Sequence, residues 1–135
     1  MDNKELIRMA LEAREQAYVP YSKYMVGAAL LTKEGRVYKG CNIENAAYTP
    51  TNCAERTAFF KAVSEGERNF EAIAVVGGYK GAPVDYAYPC GVCRQVMMEF
   101  CNPKSFRIIT AISEEEYLER TLEEILPHGF GPENL

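Results

Sequence analysis

The stretch "MVGAALLTKEGRVYKGCN", residues 25–42, decides the fold. "MVGAALL" is an unbroken apolar run, "RVYKGCN" alternates apolar and polar residues, and Lys33-Glu34-Gly35 between them carries turn chemistry. Two antiparallel strands joined as a hairpin are expected. Working upstream, Leu6, Ile7, Ala10, Leu11 and Ala17 recur at helical spacing, so residues 3 to 17 read as an amphipathic helix capped by Asp2 or Asn3. Pro20 in "YVPYSKY" ends it. Downstream, a helix is expected from about Ala54 to Glu65, stopped by Gly66, and "FEAIAVV" (70–76) reads as a buried strand.

The rest alternates in the same way. A loop rich in Gly, Pro and Tyr runs from Gly77 to Tyr88, long for a connection in a compact domain. "GVCRQVMMEFC" (91–101) follows as a helix ended by Asn102-Pro103, and "FRIITAI" (106–112) as a strand. In "SEEEYLERTLEEILP" (113–127) either Ser113 with Glu116 or Thr121 with Glu124 fits a capping box. An edge strand near 116 to 120 and a short helix after Thr121 are the reading adopted. Helices alternating with strands after an initial hairpin give an α/β sandwich on a mixed sheet.

At 135 residues and 47 % apolar, one domain spanning residues 1–135 is expected, burying about two thirds of the surface of its unfolded chain. Met1 to Ala10 is polar, and no apolar run is long enough to span a bilayer. A soluble, cytoplasmic protein with no membrane partner is the expectation. The net charge of -4, with no basic stripe, weighs against nucleic acid as a partner and favours a small neutral substrate. Five cysteines without an export signal point to thiols or metal ligands rather than disulfides.

Three of those cysteines sit at helix starts. Cys53 opens one helix in "TNCAERTAFF" (51–60), and Cys90 and Cys93 in "PCGVC" (89–93) have the two-residue gap that lets both sulfurs reach one zinc ion. A C-x-x-C alone also fits a thioredoxin-type redox pair, but that motif implicates no third thiol. Three unrelated buried thiols are a further alternative, opposed by the polar neighbours Asn52, Glu55 and Arg94. A fourth protein ligand is hard to find. Cys101 lies about 12 Å further along its helix, Cys41 sits beside Gly40 at a strand end where a core thiol is expected, and His128 stands in the turn "LPHGF". Three ligands and a place for water describe a catalytic site, four a structural one.

Three thiolates leave the zinc formally anionic, which opposes acidification of bound water. Two helix N-termini aimed at the metal, and a hydrogen bond from Arg56 or Arg94 to the sulfurs, would offset this. Glu55, in the first turn after Cys53, falls near the water without ligating the metal, where a carboxylate can move protons.

"CAE" followed by "PCGVC" resembles the zinc-dependent nucleobase deaminase signature, with Cys in place of His as first ligand. More narrowly, "VPYSKYMVGAALL", "GCNIENAAY", "NCAERTA", "SEG" and "PCGVCRQV" resemble the short, homotetrameric cytidine deaminases, from Leu6 to about Phe130 in the same order. The resemblance implies a three-layer α/β/α sandwich with a mixed five-stranded sheet, one Zn²⁺ per chain on Cys53, Cys90 and Cys93, and Glu55 as proton shuttle. It implies hydrolytic deamination of cytidine and deoxycytidine to uridine and deoxyuridine with release of ammonia, a pyrimidine salvage step. Asn42 and Glu44 would hold the ribose 3′-hydroxyl, although on composition alone they also fit a solvated strand end. Ala54 would offer its N–H to the pyrimidine O2, and Tyr24 would pack near the base. Ala46, Tyr48 and Phe130 would line the site of a neighbouring subunit, so that active sites are shared within a homotetramer. Two departures stand out: the long loop with Tyr88 where a small residue often precedes the Pro, and Pro50 in "TPTNC".

Overall fold

The structure, a computed structural model, describes residues 1–135. Its elements are α1 (Asn3–Arg14), β1 (Tyr24–Thr32), β2 (Val37–Cys41), α2 (Ala54–Ser64), β3 (Phe70–Tyr79), α3 (Gly91–Phe100), β4 (Arg107–Ala111), β5 (Tyr117–Thr121) and α4 (Leu122–Ile125), with a short 3₁₀ turn at Pro132–Asn134. The hairpin forms as expected: β1 and β2 run antiparallel with Leu31 opposite Val37, and Gly35 supplies the positive φ of +94° that the turn requires. The sheet order is β2-β1-β3-β4-β5, with β3 and β4 parallel and the other pairs antiparallel. Helix α3 makes the crossover that a parallel pair needs.

Strand alternation sorts the core into two layers of side chains. Ala29, Leu31, Ala72, Ala74, Val76 and Ile109 face α1, which buries Leu6, Ile7 and Ala10. Their sequence neighbours Ala28, Leu30, Ile73, Val75 and Ile108 face the other way, onto α2 and α3. The result is the expected three-layer sandwich. Phe59 of α2 centres the second layer, its ring 5.1 Å from Phe70 and 6.0 Å from Phe106. Removing such a ring typically costs about 3–5 kcal/mol.

One contact sets the position of α2. A Cβ built on Gly40 of β2 would lie 2.4 Å from the Ala54 carbonyl oxygen and 2.6 Å from the Ala58 nitrogen, so the helix backbone rests directly on the strand. Cys41, expected as a core thiol, is therefore only half-buried, because Gly40 holds the position facing the helix. Burial still raises the Cys41 thiol above its ordinary value.

Other expectations shift at the ends. Helix α1, capped by Asp2, stops at Arg14 rather than near Ala17. Arg14, the last residue of the helix, turns inward, donating from Nε to the Met25 carbonyl at 3.1 Å and from Nη2 to the Gly78 carbonyl at 2.9 Å. Strand β3 extends through Gly77 and Gly78 to Tyr79, because β1 starts at Tyr24 and offers Tyr24, Met25 and Val26 as partners. The edge strand and the short helix after Thr121 form as expected, with the Thr121–Glu124 capping box, while Ser113 caps a turn by accepting from Glu115 and Glu116 N–H. No helix is long and apolar enough to cross a membrane.

Candidate active site

Both cysteine motifs open helices, and the helices point at one place. Cys53 is the N-cap of α2 and Cys90 the N-cap of α3, each in extended conformation, while Cys93 lies in the first turn of α3. Their sulfurs lie within 4.8 Å of one another, with 3.8 Å between Cys53 and Cys90 and 3.5 Å between Cys90 and Cys93. Sulfurs at tetrahedral angles about 2.3 Å from a zinc ion stand about 3.8 Å apart, whereas a disulfide would need about 2 Å. The donor set and spacing fit zinc.

No fourth His, Cys, Asp or Glu belongs to the group. The rejected candidates lie elsewhere: Cys101 and His128 line a separate cleft of about 520 Å³ between the end of α3 and the C-terminal segment. Burial raises the Cys101 thiol, with the Lys33 charge opposing it only in part.

Electrostatics around the sulfurs follows from two devices. The N-termini of α2 and α3 each present roughly half a positive charge to the cluster. Arg56 Nη2 donates to Cys53 Sγ at 3.2 Å. Its Nε–H is buried with no acceptor, an arrangement that negative charge nearby makes tolerable and that three thiolates on a bound zinc would supply. The Cys53 thiol is held well below its ordinary value, first by the hydrogen bond from Cys93 and then by Arg56. Arg94 does not share this role. Its Nε donates to the Pro89 carbonyl at 2.7 Å and its Nη1 to the Ile125 carbonyl, so it ties the start of α3 to the end of α4.

Glu55 follows Cys53 and Ala54 in the first turn of α2 and is 4 % exposed. Burial pushes its carboxyl up to about 7, with the Cys53 charge adding to the rise. It opens into a cleft of about 240 Å³ together with Tyr24, Val26, Asn42, Cys53, Ala54 and Val75, closed by Tyr86, Ala87 and Tyr88. The cleft thus brings together Glu55, Cys53, Ala54, Tyr24 and Asn42, all anticipated from the sequence.

Asn42 and Glu44 are both already engaged. The Asn42 amide spans β1, donating from Nδ2 to the Tyr24 carbonyl at 2.8 Å and accepting from Val26 N–H at 2.9 Å. The Glu44 carboxylate accepts from the Ser22 hydroxyl and from Tyr21 and Ser22 N–H, and the Ser22 hydroxyl holds it below the usual carboxylate range. Glu44 opens onto a second cleft of about 410 Å³ with Tyr21, Ser22, Asn45, Tyr48 and Thr51. Ala46, Tyr48 and Phe130 are exposed and take no part in the cleft around Glu55. Phe130 is held on the surface through its carbonyl, which accepts from Gln95 Nε2 at 2.7 Å.

Val26, Val75, Tyr86 and Ala87 were not singled out from the sequence. The only signal for the last two is their place in the short stretch before Tyr88 and the Pro89-Cys90 pair. The two valines sit on strands whose pairing brings them to the cleft.

Against known proteins, the family model described as the cytidine and deoxycytidylate deaminase zinc-binding region matches residues 1–109. The cytidine deaminase of Sporosarcina psychrophila is 55 % identical over 135 residues, covering 100 % of this chain and 96 % of the relative. The crystal structure of cytidine deaminase from Burkholderia pseudomallei superposes with a TM-score of 0.87 at 45 % identity, over 96 % of this chain and 100 % of that one. That from Mycobacterium tuberculosis gives 0.82 at 39 % identity, over 97 % and 98 %. With a zinc-shaped thiol cluster at two helix N-termini, and with likeness running the length of the sequence, the chain belongs to the cytidine and deoxycytidylate deaminase family of zinc-binding proteins.

Proposed function

We propose that the chain hydrolyses cytidine and deoxycytidine to uridine and deoxyuridine, releasing ammonia, as a step of pyrimidine salvage in the cytoplasm. In this reading residues 1–135 form one domain, and four copies assemble into a homotetramer whose subunits share active sites. The observation that carries the reading is a single carboxylate, Glu55, buried in the cleft beside three cysteines spaced for zinc. The names of the relatives at 45 % identity and above support it.

Cys53, Cys90 and Cys93 would hold a zinc ion, which when bound would supply Lewis-acid chemistry able to acidify water near neutral pH. Glu55 takes one proton from the attacking water and delivers it to N3 of the cytosine ring as C4 is attacked. It then takes the second proton from the new C4 hydroxyl and passes it to the departing amine, so that the C4–N bond breaks, the C4 carbonyl forms and ammonia leaves. A carboxyl raised to about 7 exchanges protons readily at the working pH. The Ala54 N–H, at the first position of α2, has no partner within the helix and is free to donate to O2. Tyr24 offers an aromatic face to the ring.

The cleft of about 240 Å³ is below the roughly 300–1,000 Å³ of sites that enclose whole small ligands, which suits a base with its sugar outside. The sugar then lies toward Glu44, whose position Ser22 fixes in advance, with Asn42 beside it. Ala46, Tyr48 and Phe130, exposed on one copy, complete the pocket of another.

The test is ammonia release from cytidine and from deoxycytidine by zinc-loaded protein, alongside a zinc assay. No release from either compound sinks the reading. Within it, Glu44→Gln is expected to lower kcat/KM for cytidine by about tenfold through loss of a charged acceptor for the ribose hydroxyl. Zinc content stays unchanged. Asn42→Ala is a poorer probe of the sugar, because it also strands the Tyr24 carbonyl and the Val26 N–H.

A further inference from the structure

The long loop after β3 is seated rather than loose. It crosses from one face of the sheet to the other over the end of the strand: Val84 packs on the α1 side and Ala87 joins the core on the α2 and α3 side. The crossing is tight enough to need Gly77-Gly78. A Cβ on Gly77 would come within 2.7 Å of the Ala87 Cβ, and one on Gly78 within 2.9 Å of the Pro83 carbonyl oxygen. Hydrogen bonds from Asp85 N–H to the Gly77 carbonyl and from Lys80 N–H to the Lys23 carbonyl, both 2.8 Å, fix the path.

Tyr86 and Tyr88, alternate residues of the extended stretch that follows, stack with ring centroids 6.3 Å apart and planes at 23°. Both line the cleft that holds Glu55. Tyr88 also lines a second, smaller cleft of about 180 Å³ with Pro89, Ile108, Leu118 and Ile125 among its walls. Tyr88 is the one residue common to the two linings.

We propose that Tyr88, backed by Tyr86, sets the size of the ring that the site accepts, by closing the base cleft off from this neighbouring apolar cleft. The proposal rests on the reading of the substrate as a cytosine nucleoside. The direction of the limit follows from the chemistry. Glu55 serves N3, on one flank of the reacting C4, so C5 lies on the other flank. Tyr88 directly precedes Pro89 and the ligand Cys90, and it lines the same cleft as Glu55. With N3 turned to Glu55, the proposed pose turns C5 toward the Tyr88 wall, where a substituent would meet the ring.

The test compares kcat/KM for cytidine, 5-methylcytidine and 5-iodocytidine in the wild type and in Tyr88→Phe, Tyr88→Leu and Tyr88→Ala, each assayed for zinc. Tyr88 is 58 % exposed, so its truncation leaves the core intact, and the leucine variant keeps an apolar side chain should the alanine variant fold poorly. A misplaced group of methyl size costs about 10–200-fold in kcat/KM. The wild type and Tyr88→Phe are expected to disfavour 5-iodocytidine to within about twofold of each other, and Tyr88→Ala to raise the 5-iodocytidine to cytidine ratio by about tenfold, with Tyr88→Leu between. A ratio unmoved in the alanine and leucine variants, or a wild type that takes 5-iodocytidine as readily as cytidine, overturns the proposal while the deaminase reading stands. A wild type inert toward cytidine overturns both.

Discussion

Glu55→Gln will lower kcat for cytidine by about 10²–10⁴ and leave zinc content at one per chain. Glutamine matches the size of the carboxylate and can still hydrogen-bond in the cleft, but it cannot accept and release a proton. Glu55 is not among the clustered sulfur donors, so nothing that holds the metal is removed. Folding should not suffer either. Burial works against the charged form of Glu55, and a neutral amide in the same volume avoids that cost. Steady-state ammonia release, zinc content and the melting temperature, taken together, separate the possibilities. Wild-type turnover in the variant would mean that another group carries the proton. Loss of zinc together with turnover would make Glu55 a support for the metal instead.

The parts of this site that could be read from the sequence are those with short-range signatures. Cys90 and Cys93 are three apart at a helix start, and Cys53 and Glu55 share another, so spacing alone places them. The hairpin around Gly35 and the alternation along β1 and β3 likewise depend on near neighbours. What escaped depends on pairing between distant segments. Arg14 carries no signal in the sequence, because its partners, the Met25 and Gly78 carbonyls, are brought under it only by β1 and β3. Arg94 reads as a partner for the sulfurs until the end of α4 presents the Ile125 carbonyl. Val26 and Val75 are plain strand residues, and only the seating of the loop before Pro89 turns their neighbourhood into a cleft with Tyr86 and Tyr88 as its wall. The order of elements was therefore visible in advance, while the second layer of contacts that locks the site was not.

That dependence of the site on the sheet gives the second large effect. In Gly40→Ala the new methyl must occupy space 2.4 Å from the Ala54 carbonyl oxygen and 2.6 Å from the Ala58 nitrogen. These are backbone atoms, with no rotamer to turn aside, so α2 has to lift off β2. The cost is expected at the upper end of overpacking, about 3 kcal/mol, which lowers the melting temperature by about 10 °C. Because Ala54 lies between Cys53 and Glu55, the same displacement carries both away from Cys90 and Cys93, which ride on α3. Faster loss of zinc to a chelator than in the wild type should accompany the drop in stability. Gly91→Ala is the matched comparison: it lies between Cys90 and Cys93 at the start of α3, with no heavy atom within 4 Å of an added Cβ. At a helical position that accepts alanine without strain, the change should hold or raise stability by about 0.4–1 kcal/mol. A Gly40→Ala protein that melts early yet keeps zinc as tightly as the wild type would show that the metal site holds its geometry independently of how α2 rests on the sheet.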